Sequence, residues 1–365
     1  MRGIPRTLRS IALQVAAVAV GLALSALVLR LALDVSAGDA MSSLLRGAFG
    51  SEFALTQSLL KATPLALTGL AVAVCLRMRL WNIGAEGQLH AGAIGATWAA
   101  LTFPTWPAGS LLPLMIGASI AAGAVWALLA ALPRALWGVN EIITTLLLNY
   151  VAILAVAYLV TGPWRSEASF NFPVSDLFGP GAVLPRLRDS LVHIGVLFPA
   201  VAAVVLMLLL HRAKWGYEVR MIGASPEAAR VAGMSTARKI VAVMAIAGAL
   251  AGVAGMIEVS TTFGRLQQGL SPGYGYMAIV IAALAGADLL GTLVVAFLFG
   301  GFVVGGFALQ SLGVPQAFVL LLQGIILFCA LAGAQFAGAR LTPWIPSRLR
   351  GRRLSAIQKE EPSIR

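Results

Sequence analysis

The sequence predicts an all-α fold, a polytopic transmembrane helical bundle of about ten spans. Three observations carry this reading. Of 365 residues, 59% are hydrophobic and only 11% charged, with a mean hydropathy of +0.90. A soluble domain carries about a quarter charged residues, and a disordered chain cannot hold so much apolar surface, so lipid is the natural solvent. Eight long stretches lack Asp, Glu, Lys and Arg altogether. Finally, the Lys and Arg residues gather at alternate ends of those stretches.

A bilayer core needs ~20 apolar residues per helix. The uncharged runs are 10–29, 62–76, 87–133, 142–164, 190–211, 240–257, 266–287 and 289–339. Two are long enough for a pair of helices. The first divides at Phe103-Pro104-Thr105-Trp106-Pro107 and the second near Gly313-Val314-Pro315, because proline lacks a backbone donor and favours turns. The predicted spans are 11–33, 59–78, 83–102, 111–132, 142–161, 191–211, 240–261, 276–288, 291–310 and 316–337. Arg2, Arg6 and Arg9 before the first span and Val35-Ser36-Ala37 after it resemble a signal peptide. Its apolar stretch exceeds the ~7–15 residues of a signal h-region, so it reads as a retained helix.

Charge placement tests the count. With the N-terminus inside, all but seven of the 26 Lys and Arg residues fall on the inner side; the exceptions are Arg30, Arg46, Lys61, Arg165, Arg186, Arg188 and Arg265. This is the positive-inside pattern of a multi-pass membrane protein with both termini cytoplasmic. The resulting division is a cytoplasmic N-terminus (1–10), a transmembrane domain (11–337) and a basic cytoplasmic tail (338–365). Within the domain lie a cytoplasmic loop at 212–239 and an extracytoplasmic loop at 162–190. The net charge of +12 therefore reports topology and contact with anionic membrane lipid, not nucleic acid.

Several chemistries have no signature. No lysine follows a glycine, so there is no phosphate-binding Gly-x-x-x-x-Gly-Lys loop for ATP. His90, His193 and His211 lack metal-ligand spacing, Cys75 and Cys329 are far apart, and no nucleophile elbow is present. No catalytic residue, metal or cofactor is expected, and transport without an energy module of its own is the surviving theme.

Four segments carry polar groups among the spans. In Trp81-Asn82-Ile83-Gly84-Ala85-Glu86-Gly87-Gln88-Leu89-His90, glycines surround a carboxylate and two amides. Such a stretch suits either unwound backbone lining a cavity or an inner turn with Glu86 paired to Arg77 or Arg79. Asn140 is a natural N-cap and Glu141 suits the first helical turn, while Asn149 falls two turns into an apolar helix and must find a partner helix or a solute. In the 212–239 loop, Ser225-Pro226-Glu227 reads as a helix start, Ala228, Ala229 and Arg230 continue it, and Gly233 ends it. This is either a capped loop helix or a knob that docks into a partner. The segment 264–276, ending Gly273-Tyr274-Gly275-Tyr276, lies on the outer side and either receives a solute or makes a turn. Asp288 reads as an inner turn, and the pairs Gly248/Gly252 and Gly301/Gly305 as close-packing sites.

The order Leu80-Trp81-Asn82-Ile83-Gly84-Ala85-Glu86-Gly87-Gln88, then Asn140-Glu141-Ile142-Ile143-Thr144-Thr145 through Asn149-Tyr150, then Glu227-Ala228-Ala229, then Gly273-Tyr274-Gly275-Tyr276 resembles bacterial ABC-importer permeases. The subgroup is the one for nucleosides and simple sugars, related to the ribose-type permeases, and the match runs from about 55 to 335. The stretch 285–291 departs from it, where a longer polar turn is expected. The resemblance implies a type II-like importer with a separate ABC ATPase subunit, a second permease that is often a different chain, and an extracytoplasmic substrate-binding protein. This chain resembles the longer permease of the nucleoside subgroup. It also implies that Ser225, Glu227, Ala228, Ala229, Arg230 and Gly233 couple to the ATPase. Asn82, Glu86, Gln88, Asn140, Glu141, Asn149 and Tyr274 are the candidates for the translocation pathway or its gate.

The reading is a permease that moves a small polar solute by alternating access. The alternative is an ion-coupled secondary transporter, which needs mid-membrane carboxylates. Glu86, Glu141 and Asp288 are placed near predicted inner ends and Glu258 near an outer one, which disfavours it. A non-transporting scaffold is a third possibility.

Overall fold

The computed structural model of the protein describes residues 6–33, 36–170, 172–187 and 190–338. Val35 of the cleavage-like triplet, Arg188 and the tail beyond Gly338 lie outside the described residues. The helices are α1 (Arg6–Leu33), α2 (Ala37–Phe49), α3 (Glu52–Leu76), α4 (Ala85–Thr102), α5 (Ala108–Trp137), α6 (Glu141–Thr161), α7 (Leu197–Arg212), α8 (Lys214–Ala224), α9 (Pro226–Val231), α10 (Thr236–Ile257), α11 (Tyr274–Leu284), α12 (Leu289–Gln310) and α13 (Gln316–Gly338). A π-helical turn, Glu258–Phe263, prolongs α10. Among the described residues β-structure is limited to two isolated bridges, Val174 with Gln267 and Arg186 with His193.

Each predicted span corresponds to a helix, but several ends shift, α7 starting at Leu197 where 191 is predicted, and α2 is added. The chain between the first two spans folds as α2, capped by Ser36, whose Oγ accepts from Asp39 N–H; its polar residues hid it from a search for uncharged runs. Helix α3 starts at Glu52 instead of 59 because Ser51 caps it, accepting from Ala54 N–H at 3.0 Å. Helix α5 continues through Pro133 to Trp137 and stops at Gly138, whose φ of 70° lies in the left-handed region that closes a helix.

Among the described residues eight helices are long and apolar enough to cross a membrane. Two predicted spans, α4 and α11, fall outside that set, and for opposite reasons. Helix α4 carries Glu86, Gln88 and His90 and is tolerated because most of it is buried inside the bundle. Helix α11 has 11 residues, about 16 Å at ~1.5 Å per residue, half the ~30 Å hydrocarbon core.

One core cluster joins the ends of α3, α5, α7 and α10 nearest α8 and α9 to those two helices through Cys75, Leu210, Val219, Ile222, Ala229 and Met244. A second fills the opposite half around Leu65, Leu89, Met115, Val156, Met256 and Tyr274. A third seats α1 against α13 through Leu29, Val319 and Leu322. Outward faces of α5, α6 and α7 expose Leu129, Leu147, Leu154, Val201 and Leu208, as lipid contact requires. The glycine pairs behave as predicted: a Cβ on Gly252 would lie 2.3 Å from Ser119 O on α5, and one on Gly305 2.4 Å from Leu44 O on α2.

Candidate functional site

A seam of buried polar groups runs through this apolar bundle. It starts at the end of the bundle that carries α8 and α9, where Arg134 Nε on α5 lies 3.2 Å from Glu141 Oε2 at the start of α6. Asn140 caps α6, accepting from Ile142 N–H at 2.9 Å, and Glu141 Oε1 accepts from Trp81 N–H at 3.4 Å. The helix-cap reading of both residues is what the structure shows. Asn140 itself is exposed.

The chain rises from Trp81 alongside α6. The Asn82 and Gln88 amides pair reciprocally, each donating to the other's oxygen at 3.0 Å, and Asn82 Oδ1 also accepts from Gly84 N–H. This closes the turn that launches α4. Asn149 holds the next level. Its Oδ1 accepts from Gly87 N–H at 2.8 Å, while its Nδ2 donates to Ile83 O at 2.9 Å and Tyr276 Oη at 3.3 Å. Asn149 is eight residues beyond Glu141, about 12 Å along the helix, so this knot lies well inside the membrane.

Glu86 is at the same depth, which corrects its expected place near an inner end. Its Oε2 accepts from Gly275 N–H at 2.7 Å, and His90 Nδ1 lies 2.8 Å from the Glu86 carbonyl oxygen. The partner is thus the positive N-terminus of α11, not Arg77 or Arg79. Helix α11 therefore begins at membrane depth, and the chain folds back to it from the C-terminal end of α10. Gly264, Gly269 and Gly273 make that return with φ of 65°, 71° and 99°, and Ser271 Oγ caps α11 by accepting from Tyr274 N–H at 3.0 Å. The approach at Gly275 requires glycine: a Cβ there would lie 2.1 Å from Glu86 N.

Tyr274 is buried, with Lys61 Nζ 6.0 Å from its ring centroid. Lys61 Nζ is 3.9 Å from Glu258 Oε2 on the π-turn. The 162–193 loop closes over this end. Ser175 N–H donates to Leu266 O at 2.8 Å, and Ser260 Oγ donates to Ala182 O at 2.5 Å. The sequence reading counted Lys61 only in the charge census, weighed Glu258 only as an ion-site carboxylate and quoted Tyr276 only within its motif, so none of the three was among the pathway candidates. The signal for the first two was a charge at or inside a predicted span.

Helix α9 is built as predicted. Ser225 Oγ accepts from Ala228 N–H at 3.3 Å, Pro226 occupies the first turn, and Gly233 (φ 77°) lets the chain leave. Ala229 is buried, whereas Glu227, Ala228 and Arg230 are exposed and Val231 is 92% exposed. Val231, an apolar tip on a charged knob, was also missed. Helix α8 seats this knob directly on the turn after α3, since a Cβ on Gly223 would lie 2.0 Å from Arg77 O. Glu218 on α8 pairs with Lys239 on α10, and that ammonium holds its carboxyl below the usual range.

A half-length helix, α11, whose N-terminus meets a buried carboxylate at membrane depth is an arrangement of membrane transport proteins. Residues 54–331 match the model of the family described as branched-chain amino acid transport system / permease component, and the chain belongs to that family. It is 37% identical over 322 residues to the glucose ABC transporter permease TsgB13 of Haloferax volcanii, covering 85% of this chain and 84% of the relative. It is 33% identical over 328 residues to the guanosine ABC transporter permease NupP of Bacillus subtilis, covering 86% and 91%. It is 28% identical over 293 residues to the nucleoside ABC transporter permease NupB of Lactococcus lactis subsp. cremoris, covering 77% and 80%. No solved structure matches. The protein is a multi-pass membrane permease subunit of an ABC importer, whose ATPase is a separate subunit.

Proposed function

We propose that the chain moves a nucleoside or simple sugar across a bacterial inner membrane, with both termini cytoplasmic, as one of two non-identical permeases. The solutes for which the relatives are named support the solute class: glucose, guanosine and nucleosides. A pair of guanosine permeases in Bacillus subtilis, NupP and NupQ, supports the heteromeric arrangement. An extracytoplasmic binding protein delivers solute to the outer face, where the 162–190 loop lies, and an ATPase binds the 212–239 loop.

The observation that carries the mechanism is the contact of Gly223 with the turn after α3. The ATPase grips α9 through Glu227, Ala228, Arg230 and Val231, while Ser225, Ala229 and Gly233 shape the knob. Movement of the knob pushes the Arg77–Met78 backbone, which continues within a few residues into Asn82, Glu86 and Gln88. That turn is tied by Asn149 to α6 and by Glu86 to α11, so displacement at the inner surface reaches the half-helix beneath the outer loop. Asn82, Glu86, Gln88, Glu141, Asn149 and Tyr274 thus act as the hinge points of a gate, with Asn140 holding the start of α6.

The test is co-purification from detergent-solubilised native membranes. An ATPase is expected to accompany the wild type and to be lost from Glu227→Arg plus Gly233→Arg, and from Val231→Asp. A wild-type chain that purifies without an ATPase and still transports would refute the assignment.

A further inference from the structure

The outer end of the seam encloses a polar cavity of about 290 Å³ that no pathway residue predicted from sequence reaches. Gln57 and Lys61 of α3 and Glu258, Thr261 and Thr262 of the π-turn line it, and His193 from the outer loop faces them. Two of these groups are buried with a polar atom unused. Glu258 is 2% exposed, yet its Oε2 accepts no hydrogen bond, and the nearest cation, Lys61 Nζ, is 3.9 Å away, beyond bonding distance. His193 is 6% exposed, and its Nδ1 has no partner. Burial lowers the pKa of this imidazole to about 4, so it is neutral at pH 7. Buried polar atoms are nearly always paired in folded proteins, so two orphans in one cavity point to a missing partner.

The chemistry of that partner follows from the gap. A hydroxyl is both donor and acceptor, so one placed between Lys61 and Glu258 accepts from the ammonium and donates to the carboxylate. A second hydroxyl on the adjacent carbon meets the Gln57 amide, the threonine hydroxyls or His193. Lys61 and Glu258 cancel in charge, and Arg186 is exposed at the rim, so the interior favours a neutral ring. The volume is at the small end of the ~300–1,000 Å³ range for ligand pockets, enough for one sugar ring. A π-turn at this spot agrees, since such turns recur at functional sites.

We propose that this cavity is a hydroxyl-binding subsite at the outer mouth of the translocation route, which takes the vicinal-diol edge of a sugar ring. The ring is either a free monosaccharide or the ribose of a nucleoside whose base stays outside. The proposal rests on the permease reading above.

The test uses the complex purified from native membranes, reconstituted in nanodiscs without binding protein, and titrated with tritiated D-glucose, guanosine and 2′,3′-dideoxyguanosine. Co-purification of an ATPase reports the permease reading separately. Saturable binding of glucose or guanosine is expected, with the dideoxy compound at least tenfold weaker. Glucose binding alone identifies a monosaccharide site, and guanosine binding alone a nucleoside site. Glu258→Gln and Gln57→Ala are each expected to weaken the bound probe at least tenfold, and Glu167→Gln, on the exposed outer loop, to leave it unchanged. Thr262→Val replaces Glu258→Gln if the latter fails to assemble. Absence of saturable binding by wild type, equal binding of the dideoxy probe, or unaltered binding by the cavity variants would each overturn the proposal.

Discussion

Replacing Asn149 with alanine is the sharpest perturbation of the seam. The change deletes the acceptor of Gly87 N–H and the donor to both Ile83 O and Tyr276 Oη, three bonds linking three helices. Interhelical polar bonds in membrane bundles average ~0.6 kcal/mol each, so three amount to about 2 kcal/mol. The same figure follows from the other side, because an orphaned buried N–H alone costs ~1–3 kcal/mol. Two kcal/mol is roughly thirtyfold in the equilibrium between the knotted and open arrangements. The assay is thermal unfolding of the detergent-solubilised complex alongside solute uptake in proteoliposomes. We expect a lower midpoint and reduced uptake. Tyr276→Phe removes one of the three bonds and should cost about a third as much, with the double variant less than additive. An alanine variant as stable as wild type, with unchanged uptake, would refute the role of this knot.

Other outcomes follow from the same geometry. Gly275→Ala drives a Cβ into the Glu86 backbone at 2.1 Å; overpacking of this kind costs ~1–3 kcal/mol, and the yield of folded protein on size exclusion should drop. Gly223→Ala lifts α8 from Arg77 O, 2.0 Å from the new Cβ, so the ATPase should stay bound while more ATP is hydrolysed per solute moved; an unchanged ratio would sink the coupling route. His193 gives a pH dependence of known sign. Its pKa is about 4 in the fold against an ordinary 6.5, so between those values the unfolded chain binds a proton that the native chain does not. Stability is therefore lost as pH falls from 6.5 toward 4, and a His193→Gln variant should show a flatter unfolding midpoint across that interval.

Most of the helices were legible because lipid enforces long uncharged runs and prolines interrupt them. Helix α2 was not, since Asp39 and Arg46 make it a partly buried amphipathic piece packed on α12 instead of a span. Helix α11 was read as a span because its run of apolar residues says nothing about where in the membrane it begins. The candidate site divides the same way. Ser225, Pro226 and Gly233 declared α9 by short-range capping rules, whereas Val231 acquires meaning only once the fold leaves it exposed at the tip of the knob. Glu86 looked like part of an inner turn because its partner, Gly275, is 189 residues away.

Composition, uncharged runs and capping residues thus determined by themselves that this is a helical membrane bundle with a short capped helix, α9, between two of its spans. These are local or additive properties: transfer of each segment into lipid, and capping within one turn. The depth of Glu86, the union of Asn149 with Gly87 and Tyr276, and the cavity between Lys61 and Glu258 were decided only by the tertiary structure. A buried polar group must find a partner wherever packing brings one, and glycine contacts such as Gly275 on Glu86 set which backbones come close enough to provide it.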